Sequence, residues 1–372
     1  MPAKGDGISK RKDGRYMARY TVQTPEGPKR KTIYGRKYKE VEKKLAEARG
    51  DAARGLVFDA DNLKLGGYLD RWLTDSVADT VRPTTFERYE QIVRVHIRPA
   101  LGNLKLKNVT PAHVRGLYRE KLEVGLSPRT VQYIHVTLHK ALKQAVADGL
   151  IPRNATEAVK PPQVRKEEIR PLTAEQVKVL FEDVRDDRLE SLYILAVHTG
   201  LRQGELLGLK WGDVDLEAGT LQVRRTLTTA KGGPVLSAPK TKGSRRTVKL
   251  SPTALEALRS HLERQLREID QAGDLWSENG LIFASELGEP LDRRYITTHR
   301  FKPLLKRAGL PKIRFHELRH TCATLLLTKN VNPKVVSEML GHATIAITLD
   351  TYSHVLPNMQ ESAAAAIEDA LT

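Results

Sequence analysis

From Lys160 to Thr173 the chain reads KPPQVRKEEIRPLT, and neither a helix nor a central strand can run through it. Each proline lacks an amide hydrogen and pushes the preceding residue out of helical backbone. Three prolines, at 161, 162 and 171, fall in this short stretch, which is also dense with charge. A chain of 372 residues is long enough for two or three domains of about 100–200 residues each. Residues 160–171 are therefore read as a linker, and the fold divides there.

Before the break, apolar residues recur at helical spacing in LGGYLDRWLTDSV, TFERYEQIVRVHI, TPAHVRGLYREKL and SPRTVQYIHVTLHKALKQAVADG, each beginning beside Ser, Thr or Pro. Residues 63–159 are expected to form an all-α domain of about four helices. Ahead of it, GRYMARYTVQ and GPKRKTIYG alternate aromatic and basic residues around the turn TPEG, the pattern of two short strands. A helix over about 39–54 completes a small α+β domain in residues 1–60. After the break the sequence predicts helices, then strands in GTLQVRRTLTT, PVLSAPKTKG and SRRTVKLS, then helices again. Residues 172–372 are thus expected to be an α+β domain, mostly helical with a small antiparallel sheet.

Charge identifies the class of partner. The 62 Lys and Arg outnumber the 45 Asp and Glu, for a net charge of +17, which favours a polyanion and above all nucleic acid. The excess is front-loaded: the first 60 residues hold 16 basic and 8 acidic side chains. Arg15, Arg19, Lys29, Arg30 and Lys31 lie on or near the predicted hairpin and are candidates for a DNA groove. In the helical domain Arg82, Thr84, Thr85, Arg88, Arg129 and Lys140 are candidates for phosphates. No apolar run approaches the 18 or so residues of a spanning helix, and the first residues lack a signal-peptide apolar region. A single cysteine, Cys322, excludes an internal disulfide framework and suits a reducing cytoplasm; its HTCATLLL context reads as helix packing.

Four stretches after the linker carry chemistry. In HTGLRQGELLGLKW, Gly200 is expected to stop one helix and Arg202 to open the next beside Glu205; an arginine at a helix start opposes the macrodipole, which suggests that a ligand holds it there. PKTKGSRRTVKL reads as a strand pair whose tight turn projects Lys240 or Lys242. FHELRHTCATLL sets His316, Arg319 and His320 at helical spacing. MLGHATIAITLDTYSHV holds His342, Tyr352 and His354. Taken alone, Tyr352 is a core residue with a polar handle. Taken together, the residues suit phosphodiester transfer. Arginine forks bind pairs of non-bridging oxygens, His316 and His342 add donors, a lysine protonates the leaving oxygen, and Tyr352 is the nucleophile.

TGLRQGEL, PKTKGSRRTV, HELRHTCATLLL and LGHATIAITLDTYSH, in this order, resemble the motifs of tyrosine recombinases of the phage-integrase kind. The resemblance covers residues 172–372 strongly, 63–159 by layout as a core-type DNA-binding domain, and 1–60 as an arm-site-binding domain. It implies that Arg202 and Arg319 bind the scissile phosphate with His316 and His342 and that Tyr352 is the nucleophile. For the acid its KT pattern favours Lys240, with Lys242, two residues on and on the same sheet face, as the alternative. Glu205 would brace the first arginine, and His320 is read as structural. It further implies a 3′-phosphotyrosyl intermediate, no cofactor and no metal, and a homotetramer on double-stranded DNA attachment sites in the bacterial cytoplasm. DNA-bending and directionality proteins would be accessory partners, and no membrane is involved.

Three rivals are weighed against this reading. HELRH also fits H-E-x-x-H, a zinc peptidase helix, with Glu338 as a third ligand; the fixed cation Arg319 on the same helix opposes that. A type IB topoisomerase would use similar phosphotyrosine chemistry without exchanging strands. A DNA-binding architectural protein would keep the fold without catalysis.

Overall fold

The structure is a computed structural model and describes residues 7–24, 27–53, 63–164, 169–230, 233–238, 245–353 and 367–371. The chain divides into two compact units, Met1–Lys166 and Glu167–Thr372, so the boundary falls within the proline-rich segment.

The first unit opens with an antiparallel sheet of β1 (Ile8–Lys10), β2 (Tyr16–Thr24) and β3 (Gly27–Gly35), followed by α1 (Tyr38–Ala53). β1 is an edge strand that the sequence pattern did not suggest. Directly opposed residues of an antiparallel pair share a face. Ala18 opposite Ile33 and Tyr20 opposite Lys31 therefore lie on one side of the sheet, where Ala18 joins Val41 and Leu45 of α1 in a small core. Met17 opposite Tyr34, Arg19 opposite Thr32 and Thr21 opposite Arg30 lie on the other.

Helices α2 (Leu65–Arg71), α3 (Pro83–Ile92), α4 (Arg98–Leu101), α5 (Pro111–Glu123) and α6 (Pro128–Ala147) follow. Thr110 and Ser127 accept the N3 amides of α5 and α6, which satisfies donors that a helix start leaves open. α2 and α3 each run on into a wider-turn segment, Trp72–Val77 and Val93–Ile97. Leu69, Trp72, Ile97, Leu117, Ile134, Leu138 and Leu142 are among the residues that fill a common core.

The second unit contains α7 (Ala174–Asp183), α8 (Glu190–Thr199) and α9 (Gln203–Leu206), then strands β4 (Val214–Asp215), β5 (Thr220–Val223), β6 (Thr226–Ala230), β7 (Gly233–Ser237) and β8 (Arg246–Lys249), then helices α10 (Pro252–Ala272), α11 (Arg293–Tyr295), α12 (Lys302–Arg307), α13 (Glu317–Thr328), α14 (Pro333–Leu340) and α15 (Ile345–Tyr352). Among the described residues β7 and β8, which flank PKTKGSRRTVKL, do not pair with each other. β7 pairs with β6, and β8 pairs with β5 in a separate sheet of order β4-β5-β8. Apolar matching selects these partners: Leu221 opposes Val248, both buried, while buried Leu227 opposes Leu236. α8 is buried nearly all round, packed by Leu192, Tyr193 and Leu195 into the main core with Phe283, Phe301 and Leu318. Among the described residues no helix is long and apolar enough to cross a membrane.

Candidate active site

Two helix ends hold three arginines of the second unit. α8 terminates at Gly200 with φ +60°, and α14 at Gly341 with φ +68°. Left-handed backbone at this position favours glycine. Space enforces the same choice, because a Cβ on Gly200 would stand 2.4 Å from Leu340 Cδ2, and one on Gly341 would stand 2.9 Å from Arg246 Nη1. The last carbonyls of a helix lack intrahelical donors and carry the negative end of its dipole. They receive guanidinium groups here. Arg319 of α13 donates from Nη1 to Gly200 O at 2.8 Å and to Leu340 O at 2.7 Å. Arg246 of β8 donates from Nε to Met339 O at 2.5 Å, and Arg202 from Nη2 to Gly341 O at 3.3 Å.

Glu205 ties two of these cations together. Its Oε1 accepts Arg202 Nη1 at 2.7 Å, and its Oε2 accepts Arg246 Nη2 at 3.1 Å and the Arg202 amide at 3.0 Å. Burial alone would raise this carboxyl's pKa, but Arg246 and Arg202 outweigh it and hold the group below the usual carboxylate range. Arg319 is only 2% exposed. Desolvation, and then repulsion from Arg202, pull it down to about 9, so it stays charged at neutral pH. Its Nη2 is buried without a hydrogen-bond partner among the described residues, which marks a donor suited to an anionic oxygen.

Tyr352, at the end of α15, is 1% exposed and packs with Ala323, Leu327, Val336 and Leu340. Its hydroxyl lies 2.6 Å from Nδ1 of His320. Burial pushes the phenol up to about 12, against the pull of Arg319. His342 follows Gly341, with its Nδ1 2.7 Å from Thr348 Oγ1. Desolvation and the nearby Arg319 and Arg202 press its pKa down to about 4, so the ring is neutral at pH 7. His316 caps α13 at the exposed rim, its ring edge-to-face with His320 at 5.0 Å between centroids.

The helix-end geometry thus groups Arg202, Arg319 and His342, and Arg319 lies close enough to Tyr352 to shift its phenol. His316 joins through His320. Lys240, Lys242 and His354 lie outside the described residues. The H-E-x-x-H alternative gains no support. The His316 and His320 rings stand at 85° to each other, and His320 Nδ1 engages Tyr352. Among the described residues no cluster of His, Cys, Asp or Glu fits a metal. Cys322 is buried beside Gly200. The sequence did not single out Arg246 and Thr348, and it reads His320 as structural; in the structure the His320 ring meets the Tyr352 hydroxyl.

The proposed DNA contacts separate into groups. In the helical unit, Arg88 of α3 and Arg129 of α6 converge on the Tyr133 ring, at 4.8 and 5.3 Å from its centroid, and Arg129 lowers the phenol's pKa by hydrogen bonding to it. Lys140 instead donates to Tyr89 Oη at 2.7 Å. Arg82 caps α3, and Thr84 is exposed in its first turn. In the N-terminal sheet Arg19 and Arg30 share the outer face, whereas Lys31 is on the α1 side and Arg15 is held by Asp13. The side chain of Lys29 lies outside the described residues.

Known proteins resemble this chain in sequence and in fold. Residues 170–359 match the phage integrase family, and residues 64–122 match the phage integrase N-terminal SAM-like domain. A XerC-like tyrosine recombinase of Caldanaerobacter subterraneus subsp. tengcongensis is 34% identical over 95% of this chain and 96% of its own. The ICEBs1 integrase of Bacillus subtilis is 28% identical over 78% of this chain and 79% of its own. The Tn1549 transposon integrase in complex with a circular intermediate DNA has a similar fold, with a TM-score of 0.70 at 22% identity, covering 82% of this chain and 99% of that one. A lambda integrase tetramer bound to a Holliday junction matches at a TM-score of 0.59 and 22% identity, over 92% and 96%. The chain belongs to the phage integrase family and is a tyrosine site-specific recombinase acting on DNA.

Proposed function

We propose that the protein integrates a phage or other mobile element by cutting and rejoining DNA through Tyr352. The reading rests chiefly on one observation. Tyr352, which matches the family's nucleophile position, lies close enough to Arg319 for that cation to pull on its phenol, and Arg319, fixed by two backbone carbonyls, keeps a buried donor unpaired. Arg319 and Arg202 would bind the non-bridging oxygens of the scissile phosphate, with His342 and His316 as further donors. The Tyr352 oxygen attacks phosphorus, a P–O bond forms, and the 5′ oxygen leaves with a proton from Lys240. The phosphotyrosyl ester keeps the bond energy, so the 5′ hydroxyl of a partner strand can reverse the step.

In this reading residues 1–60 bind arm-type sites, 63–159 bind the core, and 172–372 cut. Four protomers assemble on two sites, with DNA-bending and directionality proteins as partners, in the bacterial cytoplasm. The test is a nicked suicide duplex built from the DNA flanking the gene. The native protein should accumulate a covalent adduct, and Tyr352→Phe should bind the duplex yet form none. An adduct with the Phe variant would assign the nucleophile elsewhere.

A further inference from the structure

We propose that His320 takes the proton of Tyr352 during cleavage and returns it on rejoining, a role separate from the phosphate-binding histidines. The proposal rests on the reading of Tyr352 as the nucleophile. Among the described residues the hydrogen-bond partner of the Tyr352 hydroxyl is His320 Nδ1, at 2.6 Å. The two rings are 5.6 Å apart and tilted at 56° to each other, so they meet through this hydrogen bond and do not stack. His316 is less well placed, because it stands on the rim of the same helix and meets His320 edge-to-face.

The chemistry requires such a group. A buried phenol surrendering its proton only at high pH is a weak nucleophile at neutrality, and the bound cations offset that only in part. His320 is half-buried and its pKa is lowered, by desolvation first, so at neutral pH its Nδ1 can carry a lone pair for the phenolic hydrogen. The charged and titratable groups around it are Glu317 and Arg319 of α13, Arg314 and His316 just before that helix, Tyr352 of α15, and His342 between α14 and α15. Of these, Glu317 favours the imidazolium and the arginines oppose it. As the tyrosyl oxygen bonds to phosphorus, its proton passes to Nδ1. The imidazolium then lies near the negative charge building on the phosphate. In rejoining, the P–O(Tyr) bond breaks and the same proton returns to the phenolate.

Two variants and one altered substrate test this on the full chain with the suicide duplex. His320→Ala should slow cleavage by roughly 100-fold, at the lower end of what a positioned acid or base contributes, with gel-shift affinity unchanged. His320→Asn keeps an acceptor but cannot hold the proton, so it should stay at least about tenfold slow. In both variants the rate should climb about tenfold per pH unit as hydroxide replaces the base, whereas the native rate levels off once His320 is neutral. A duplex with sulfur in place of the 5′ bridging oxygen needs no acid, and it should not restore the variants. Native rates in His320→Ala, full activity in His320→Asn, or rescue by the sulfur leaving group would each overturn the role. The parent reading fails separately, through an adduct formed by Tyr352→Phe.

Discussion

The two pairs of arginines proposed to meet DNA are held in opposite ways. Arg319 rests on main-chain carbonyls at the ends of α8 and α14 and is almost completely buried, while Arg202 is held between the Glu205 carboxylate and the α14 end at Gly341 O. Arg88 and Arg129 are exposed and lie against one tyrosine ring, and the hydrogen bonds Arg129 makes go to side chains, Gln132 Oε1 at 3.2 Å among them. A carbonyl fixes a guanidinium in distance and direction, while a ring face attracts a cation without fixing its donors. The first arrangement suits a transition state, whose oxygens must be met at set positions. The second suits a duplex backbone, where charge counts more than angle.

That contrast breaks if the rigidly seated pair tolerates a change of shape. Arg319→Lys keeps the charge but cannot span Gly200 O, Leu340 O and a phosphate, so cleavage should fall by roughly 100- to 1,000-fold. Binding, measured by gel shift, should barely change. Near-native cleavage by the Lys variant would show that a point charge suffices. The exposed pair should behave in the opposite way. Arg88→Ala with Arg129→Ala should weaken binding by about tenfold at moderate salt and reduce the slope of log affinity against log salt by about two, while cleavage of saturated DNA stays native. An unchanged slope would remove both residues from the phosphate backbone.

The smallest effects compare two glycines by thermal unfolding. Gly341→Ala meets Arg246 at 2.9 Å in left-handed backbone, and it should cost about 1–3 kcal/mol. Gly116, inside α5, has nothing within 4 Å of a Cβ. Gly116→Ala should gain up to about 1 kcal/mol from helix propensity. Equal shifts would mean that the helix end at 341 bears no special constraint.

How much of this could be read beforehand depended on the range of the interactions. The helices of residues 63–159 announced themselves through apolar spacing and caps such as Thr110 and Ser127, because those signals act within one turn. Gly200 as a helix stop was legible for the same reason. Strand partners were not: β5 to β8 are four or five residues each, too short for local pattern to choose between neighbours, and burial of Leu221 against Val248 decided the pairing. The bond between His320 and Tyr352 links residues 32 apart. It depends on how α15 lies against α13, and nothing around either residue encodes that approach. Arg246 escaped notice because its partners, Glu205 and Met339 O, are distant in the chain.

The use of main-chain oxygens as arginine seats has a consequence for how such a protein changes by mutation. A carboxylate seat disappears with one codon, but every residue at 339, 340 or 341 supplies a carbonyl. Side-chain variation at those positions cannot delete the acceptors for Arg246, Arg319 and Arg202; it can only displace them. For Arg319, whose acceptors among the described residues are all carbonyls, the genetic target is therefore shifted to the few codons that specify where two helices stop. Arg202 and Arg246 also depend on the single Glu205 carboxylate. An enzyme built this way can drift in the face it shows to DNA, and so in the sequences it selects, while its cutting machinery stays in place.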